Sequence, residues 1–377
     1  MRTRVVVLAA AVAASAIAAA GPAQAQALAS RYTAVTPQRV LDTRDGTGVS
    51  IEGDHLVLDL SRVTPSGTTA VVVNLTGADA NVDSFVTVWP DGDPRPTVSN
   101  LNVSRGQTAA NLTTVAVPTS RKLDVWVHGD LGVIADLSGY YAPTGGSGYS
   151  GHSPSRVLDT RTGGGPAGPD RTTVLDLSST LPANTTAVVF NLTGTNTTAA
   201  TYLTAWPDGT SRPDVSSMNL APGQTRANMV TVAVPPSGKI DLYNHAGSVD
   251  LIADVSGYYL NGSGKWFYPT SPQRLIDTRD SAPVGPDSTV TVTTGHTGED
   301  VVVNLTATDA TAATYLTAWQ PKTDSHVAGS SLNLGPGETV PNMAIVSTWS
   351  DAFGVYNHAG TVDVIVDLAG YFVSNIP

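Results

Sequence analysis

Three tryptophans, two Tyr-Asn-His turns and three aspartate–arginine pairs are the residues whose types and spacing suit binding chemistry in this chain. Trp89, Trp206 and Trp319 close the strand-like segments Phe85-Val-Thr-Val-Trp89, Tyr202-Leu-Thr-Ala-Trp206 and Tyr315-Leu-Thr-Ala-Trp319. A flat indole there suits the apolar face of a pyranose, and equally suits capping a core with its N–H on a loop carbonyl. Tyr243-Asn244-His245 and Tyr356-Asn357-His358, each followed by Ala-Gly, offer phenol, amide and imidazole side by side. They read either as a polar pocket or as turns whose asparagine bonds its own backbone. The matching segment, Trp126-Val-His128-Gly129, has lost the asparagine. Asp-Thr-Arg recurs at Asp42/Arg44, Asp159/Arg161 and Asp277/Arg279. Residues two apart on a strand share a face, so each triplet is expected to form a structural ion pair, with a sugar clamp as the alternative.

The chemistry of bond cleavage has less support. No nucleophile elbow, zinc-protease helix or Ser-x-x-Lys context is present, so no catalytic residue is assigned. Every candidate acid, including Asp136, Asp254 and Asp367, recurs in triplicate, as weak binding sites do when they gain strength by avidity. Asp42 with Asp45-Gly46, Asp91-Gly-Asp93 and Asp208-Gly209 are oxygen-rich turns without the full spacing of a calcium loop. They give a weak calcium signal, and no metal ligand or cofactor is assigned.

The elements that must position these residues come in three copies. Val71-Val-Val-Asn-Leu-Thr76 returns as Val188-Val-Phe-Asn-Leu-Thr193 and Val301-Val-Val-Asn-Leu-Thr306. Segments around Asn102, Asn219 and Asn333 lead to a Gly-x-Thr turn and a second asparagine at 111, 228 and 342. Each copy closes on Asp136-Leu-Ser-Gly-Tyr-Tyr141, Asp254-Val-Ser-Gly-Tyr-Tyr259 or Asp367-Leu-Ala-Gly-Tyr-Phe372. Short apolar runs rich in Val, Thr and aromatics lie between Gly, Pro, Asn and Asp clusters, and no helical periodicity appears. The expectation is an all-β chain of three tandem antiparallel β-sandwich or barrel-like repeats of about 115 residues, with about 8 to 10 strands each. Boundaries are expected at 31–143, 154–260 and 269–377, joined by flexible linkers at 144–153 and 261–268. Beads on a string is the simple arrangement, and a closed pseudo-threefold body the alternative.

Residues 1–27 read as a secretory signal peptide: Arg2 and Arg4, an apolar run, then small residues around Ala25 and Ala27. The run is short for a membrane span. The chain holds no cysteine and carries a net charge of −11, so disulfides are absent and nucleic acid is a disfavoured partner.

The Arg-[Val/Leu]-[Leu/Ile]-Asp-Thr-Arg, Val-Asn-Leu-Thr, Tyr-Asn-His-Ala-Gly and Asp-x-x-Gly-Tyr motifs together resemble a tandem repeat of secreted actinobacterial proteins. The resemblance covers nearly the whole chain beyond the leader and implies an extracellular module without an assigned activity. The expected function is a secreted, non-catalytic, lectin-like binding module for cell-wall or extracellular polysaccharide. It would be released or held non-covalently at the cell surface. A structural or adhesive cell-surface protein working through protein–protein contacts is the alternative, and a secreted hydrolase the second alternative. Trp89, Trp206, Trp319, Tyr243, Asn244, His245, Tyr356, Asn357 and His358 are the expected ligand-binding residues.

Overall fold

Alternating Val/Thr strands bury both faces in this protein, and that requirement sets its architecture. The computed structural model describes residues 28–320 and 329–374; the signal-peptide reading of residues 1–27 lies outside them. Among the described residues are 25 β-strands, one short 3-10 turn and no α-helix. The strands form six small antiparallel sheets, two per repeat. In the second repeat, Gly148–Asp159, Asp250–Leu260, Thr185–Thr195 and Arg226–Ala233 make the inner sheet, in that spatial order. Arg171–Asp176, Lys239–Asn244, Thr201–Pro207 and Met218–Leu220 make the outer one. The first and third repeats follow the same order, and the first adds the two-residue strand Ile51–Glu52 at the outer sheet's edge.

The run Ala70–Ala78 shows why the sheets close on one another. It is buried at every position. Val71, Val73 and Leu75 face the apolar core between the two sheets of their own repeat. Ala70 and Val72 face the opposite way, into a central cluster built from all three repeats. A strand apolar on both faces needs a neighbour on each side, which a bead on a string lacks.

Six strands meet around the centre: Leu101–Val103, Ala109–Ala116, Met218–Leu220, Arg226–Ala233, Leu332–Leu334 and Val340–Ser347. Each touches the next, and the last touches the first. The six sheets therefore stand as the blades of a six-bladed propeller. This corrects the expectation of three tandem sandwich repeats: the all-β class holds, but the blades of neighbouring repeats pack as closely as those within one.

Asparagines tie the ring. Asn111, Asn228 and Asn342 donate to the side-chain oxygens of Asn304, Asn74 and Asn191 in the neighbouring repeat, at 2.9, 3.0 and 2.9 Å. Asn74, Asn191 and Asn304 donate in turn to the backbone oxygens of Ser216, Ser330 and Ser99, at 2.7, 2.6 and 2.8 Å. All six side chains are buried, so every amide needs these partners.

One end of the axis is plugged by aromatic rings. Tyr32 stacks on Tyr259 and Tyr149 on Phe372, both at 4.3 Å, and Phe267 lies 4.4 Å from Tyr141. Each pair joins two repeats. The segments expected as flexible linkers contribute to this plug, because Gly148 already begins one strand and Trp266 another. Backbone bridges Tyr32–Ser147, Tyr149–Lys265 and Ser30–Phe267 join the three strand openings in a circle.

Candidate functional site on the outer sheets

The expected site residues separate into two groups once their surroundings are known. Trp89 and Trp206 are 4% and 5% exposed. Their indole N–H groups donate to the backbone oxygens of Asp93 and Thr210 at 2.9 and 3.1 Å. These rings cap the ends of blades and present no face to a sugar, which corrects their assignment as stacking platforms. Trp319 occupies the same station, half-buried. Asn244 and Asn357 are fully buried. Asn244 donates to the oxygens of Ala167 and Gly247, each at 3.0 Å, and accepts from Thr201 Oγ1 at 2.7 Å. Asn357 repeats the pattern with Val284, Gly360 and Thr314. Both amides are spent on holding loops, so neither is a ligand-binding residue.

Tyr243, His245 and their counterparts behave differently. On the outer sheet of the second repeat, His245 stacks on Tyr202 with ring centres 4.6 Å apart. Tyr243 Oη donates to Asp170 Oδ1 at 2.5 Å, and His245 Nδ1 lies 4.0 Å from the same oxygen. Asp170 holds φ +52°, a left-handed conformation that costs an L side chain energy unless local bonds maintain it. The Arg212 guanidinium carbon lies over the Tyr243 ring, 3.6 Å from its centre. Tyr243 is thus the buried floor, while half of the His245 side chain and 77% of the Asp170 side chain meet solvent. The third repeat builds the same group from Tyr315, Tyr356, His358 and Asp287, with stacking at 4.6 Å and a Tyr356–Asp287 hydrogen bond of 2.7 Å. That bond to a carboxylate pushes the Tyr356 hydroxyl up to about 12. The first repeat keeps the rings, but its carboxylate, Asp54, pairs with Arg95 at 3.7 Å. Phe85 stacks on His128 at 4.9 Å, Arg95 covers Trp126 at 4.0 Å, and Gly53 stands where Asp170 would.

The arrangement joins an imidazole face, a tyrosine edge, a carboxylate and a guanidinium on one exposed patch. These groups suit sugar hydroxyls and the C–H face of a sugar ring. The Asp-Thr-Arg triplets lie elsewhere. Arg44 grips Asp42 through two bonds of 2.9 and 2.7 Å, and Arg161–Asp159 and Arg279–Asp277 do the same at 2.8 and 2.6 Å. A second arginine bridges each pair to the closing strand: Arg39 to Asp136 at 3.0 Å, Arg156 to Asp254 at 2.9 Å and Arg274 to Asp367 at 2.5 Å. The oxygen-rich turns are committed locally, with Asp45 accepting from the Thr47 amide and Asp91 and Asp208 from serine hydroxyls. No metal-binding group of three or more His, Asp or Glu side chains occurs among the described residues.

The buried ends of these bridges carry a pH dependence. Burial pushes the Asp136 carboxyl up to about 6, against the pull of Arg39, and Asp367 shifts upward for the same reason. Bonds from Arg44 lower Asp42, and those from Arg161 lower Asp159 to about 2. A group raised in the fold favours folding below its unfolded value, about 3.9, and loses that contribution as pH rises through its folded value. Melting temperatures of wild type and Asp136→Asn between pH 4 and 6.5 should diverge, the wild type losing stability relative to the variant as pH rises. Parallel curves would mean that Asp136 titrates near its ordinary value.

Sequence reasoning missed Tyr202, Tyr315, Asp170, Asp287 and Arg212. The signal for the tyrosines was present: Tyr202 shares a strand face with Trp206, four residues on, but at the open end of the strand. Asp170 and Asp287 each end a Gly-Pro-Asp or Val-Gly-Pro-Asp loop and read as ordinary turn residues.

Fold and site together define an all-β, six-bladed scaffold with one aromatic surface cluster per repeat. No family model matches the chain, and no curated protein matches it. Among solved structures, it is similar to a chain in the atomic structure of Sulfolobus Turreted Icosahedral Virus. That match has 11% identity over 92% of this chain and 91% of the other, at a TM-score of 0.20. A second is the tandem CBM22-1–CBM22-2 domain of Paenibacillus barcinonensis Xyn10C, at 9% identity over 61% and 93%, with a TM-score of 0.18. No helix among the described residues is long and apolar enough to cross a membrane.

Proposed function

We propose that the protein is a secreted, non-catalytic binding module that holds cell-wall or extracellular polysaccharide through its outer-sheet clusters. The observation that carries this reading is the Tyr202–His245–Asp170 group and its near-identical copy Tyr315–His358–Asp287. In each, a strained aspartate is held beside a stacked, exposed imidazole. Each group leaves half of its imidazole side chain and more than three quarters of its aspartate side chain open to solvent. Two matched sites and a divergent third on one body favour a repeating polymer, since a second contact on the same chain binds at high effective concentration. The leader-like N-terminus supports export to where such polymers occur.

Pull-down of the purified protein on insoluble polysaccharides and on isolated cell walls tests the reading. Retention on one polymer is expected. The double variant His245→Ala/His358→Ala should lower the apparent affinity by about tenfold or more, and either single variant by less. Failure of the wild type to bind any polymer or cell wall would sink the proposal. It would favour the role of an adhesive surface protein working through protein contacts.

A further inference from the structure

Charge breaks the pseudo-threefold symmetry at one place near the aromatic plug. Asp300 occupies the station of Ala70 and Ala187, since the three pair with Phe372, Tyr141 and Tyr259. The two alanines are fully buried, and Asp300 is 3% exposed. Lys265 lies two residues before Phe267, as Ser30 and Ser147 lie before Tyr32 and Tyr149. Those serines accept hydroxyl bonds from Thr69 and Thr186, each at 2.8 Å, and Ser30 also donates to the Leu28 oxygen at 2.9 Å. In the third repeat, Lys265 Nζ instead donates to Asp300 Oδ2 at 2.8 Å, and Ser347 Oγ donates to the other carboxylate oxygen. Two repeats build the plug without a charged pair, so the fold does not require it, and burying it costs desolvation.

The pair borders an open cavity of about 370 Å³, walled also by Ser150, Gly151 and Ser374. A Cβ at position 151 would stand 2.9 Å from Asp300 Oδ1, so glycine there keeps the carboxylate uncrowded. We propose that this cavity is a second saccharide site, which takes the end of a glycan chain through two adjacent ring hydroxyls. The pair is neutral overall, which disfavours a free anion facing Asp300 or a free cation facing Lys265. Besides Asp300, the ammonium reaches the Gly298 oxygen at 3.5 Å and keeps one further N–H donor, and the carboxylate beside it keeps further lone pairs. Adjacent hydroxyls on a sugar ring offer the complementary acceptor and donor. The hydroxyls of Ser150, Ser347 and Ser374 can turn to serve as donors or acceptors. The Tyr149 ring is stacked on Phe372, so the ligand is gripped at its edge by hydrogen bonds, as suits a chain end.

Calorimetric titration of the full chain with methyl pyranosides of gluco, galacto and manno configuration tests this site, with sodium acetate and sodium phosphate as competing anions. One pyranoside should bind saturably and survive both anions. Ser150→Trp fills the cavity from its half-exposed wall and should weaken that binding by about tenfold or more. Asp300→Asn should do the same where it folds. Titration in the His245→Ala/His358→Ala background removes the outer-sheet contribution, and adding Ser150→Trp there should abolish the saturable binding that remains, which separates this site from the polymer-binding one. The inference is overturned if no pyranoside saturates, if an anion displaces it, or if Ser150→Trp binds as the wild type does.

Discussion

Asn228→Ala will lower the stability of the entire ring, by about 3 to 5 kcal/mol, because three buried groups lose their partners together. The Asn228 amide donates to Asn74 Oδ1 at 3.0 Å and to the Ser217 oxygen at 2.6 Å, and its own oxygen accepts from the Leu112 amide at 3.0 Å. Two of these partners belong to the first repeat. The residue is 1% exposed, so water has no ready route to replace the lost amide. The loss should therefore appear as one shifted transition in urea, rather than as a separate early melting of the second repeat. A shift below about 1 kcal/mol would show that the inter-repeat amides are dispensable.

Gly257→Ala should cost about 3 kcal/mol by overpacking the aromatic plug. A Cβ at position 257 would fall 2.5 Å from Tyr149 Cζ, far inside contact distance. The tyrosine cannot retreat, since its ring lies on Phe372 at 4.3 Å and its hydroxyl donates to the Ser256 oxygen at 3.1 Å. Thermal melting with near-ultraviolet circular dichroism reads both the stability and the tyrosine packing. Adding Tyr149→Ala to Gly257→Ala should make the two losses less than additive, because the second change removes the clash created by the first. Strict additivity would show that the glycine serves some other need. The same reasoning explains why each closing motif carries glycine: Gly139 lies against Tyr32 and Gly370 against Phe267.

The repeat, the all-β class and the ion-paired triplets were legible because they depend on local pattern. A period of two marks strands, and each aspartate ends one; the arginine two residues on lies in the turn that follows, where both its backbone amide and its guanidinium reach the carboxylate. What lay between repeats was not legible. Asn74 sits in an apolar run and reads as a strand residue; its partner Asn228 is 154 residues away, and nothing local signals the meeting. The tryptophans drew attention as large, flat rings, yet the ring size that suits a sugar also suits the end of a core. At Trp89 and Trp206 the nearby loop carbonyl decided for the core. The Gly/Ser-rich segment before Tyr149 suggested a flexible tether, but its glycines allow strand openings to pass closely at the axis. Gly148, for instance, stands where a Cβ would meet Gly264 backbone at 2.7 Å.

The asparagine relay also fixes how many repeats the chain can hold. Each repeat supplies a donor on one flank and its matching acceptor on the other, and the rotation between neighbours closes after three. Solenoids lengthen by inserting a repeat anywhere, because each unit meets only its neighbours along an open line. A heterologous contact that closes on itself has no such freedom. Duplication of one more unit in the gene would strand a buried amide pair at the seam and force every blade to a new angle. Variation in this architecture is therefore confined to substitutions within three units, such as the change from Tyr243 and Asp170 to Trp126 and Gly53, and cannot proceed by adding copies.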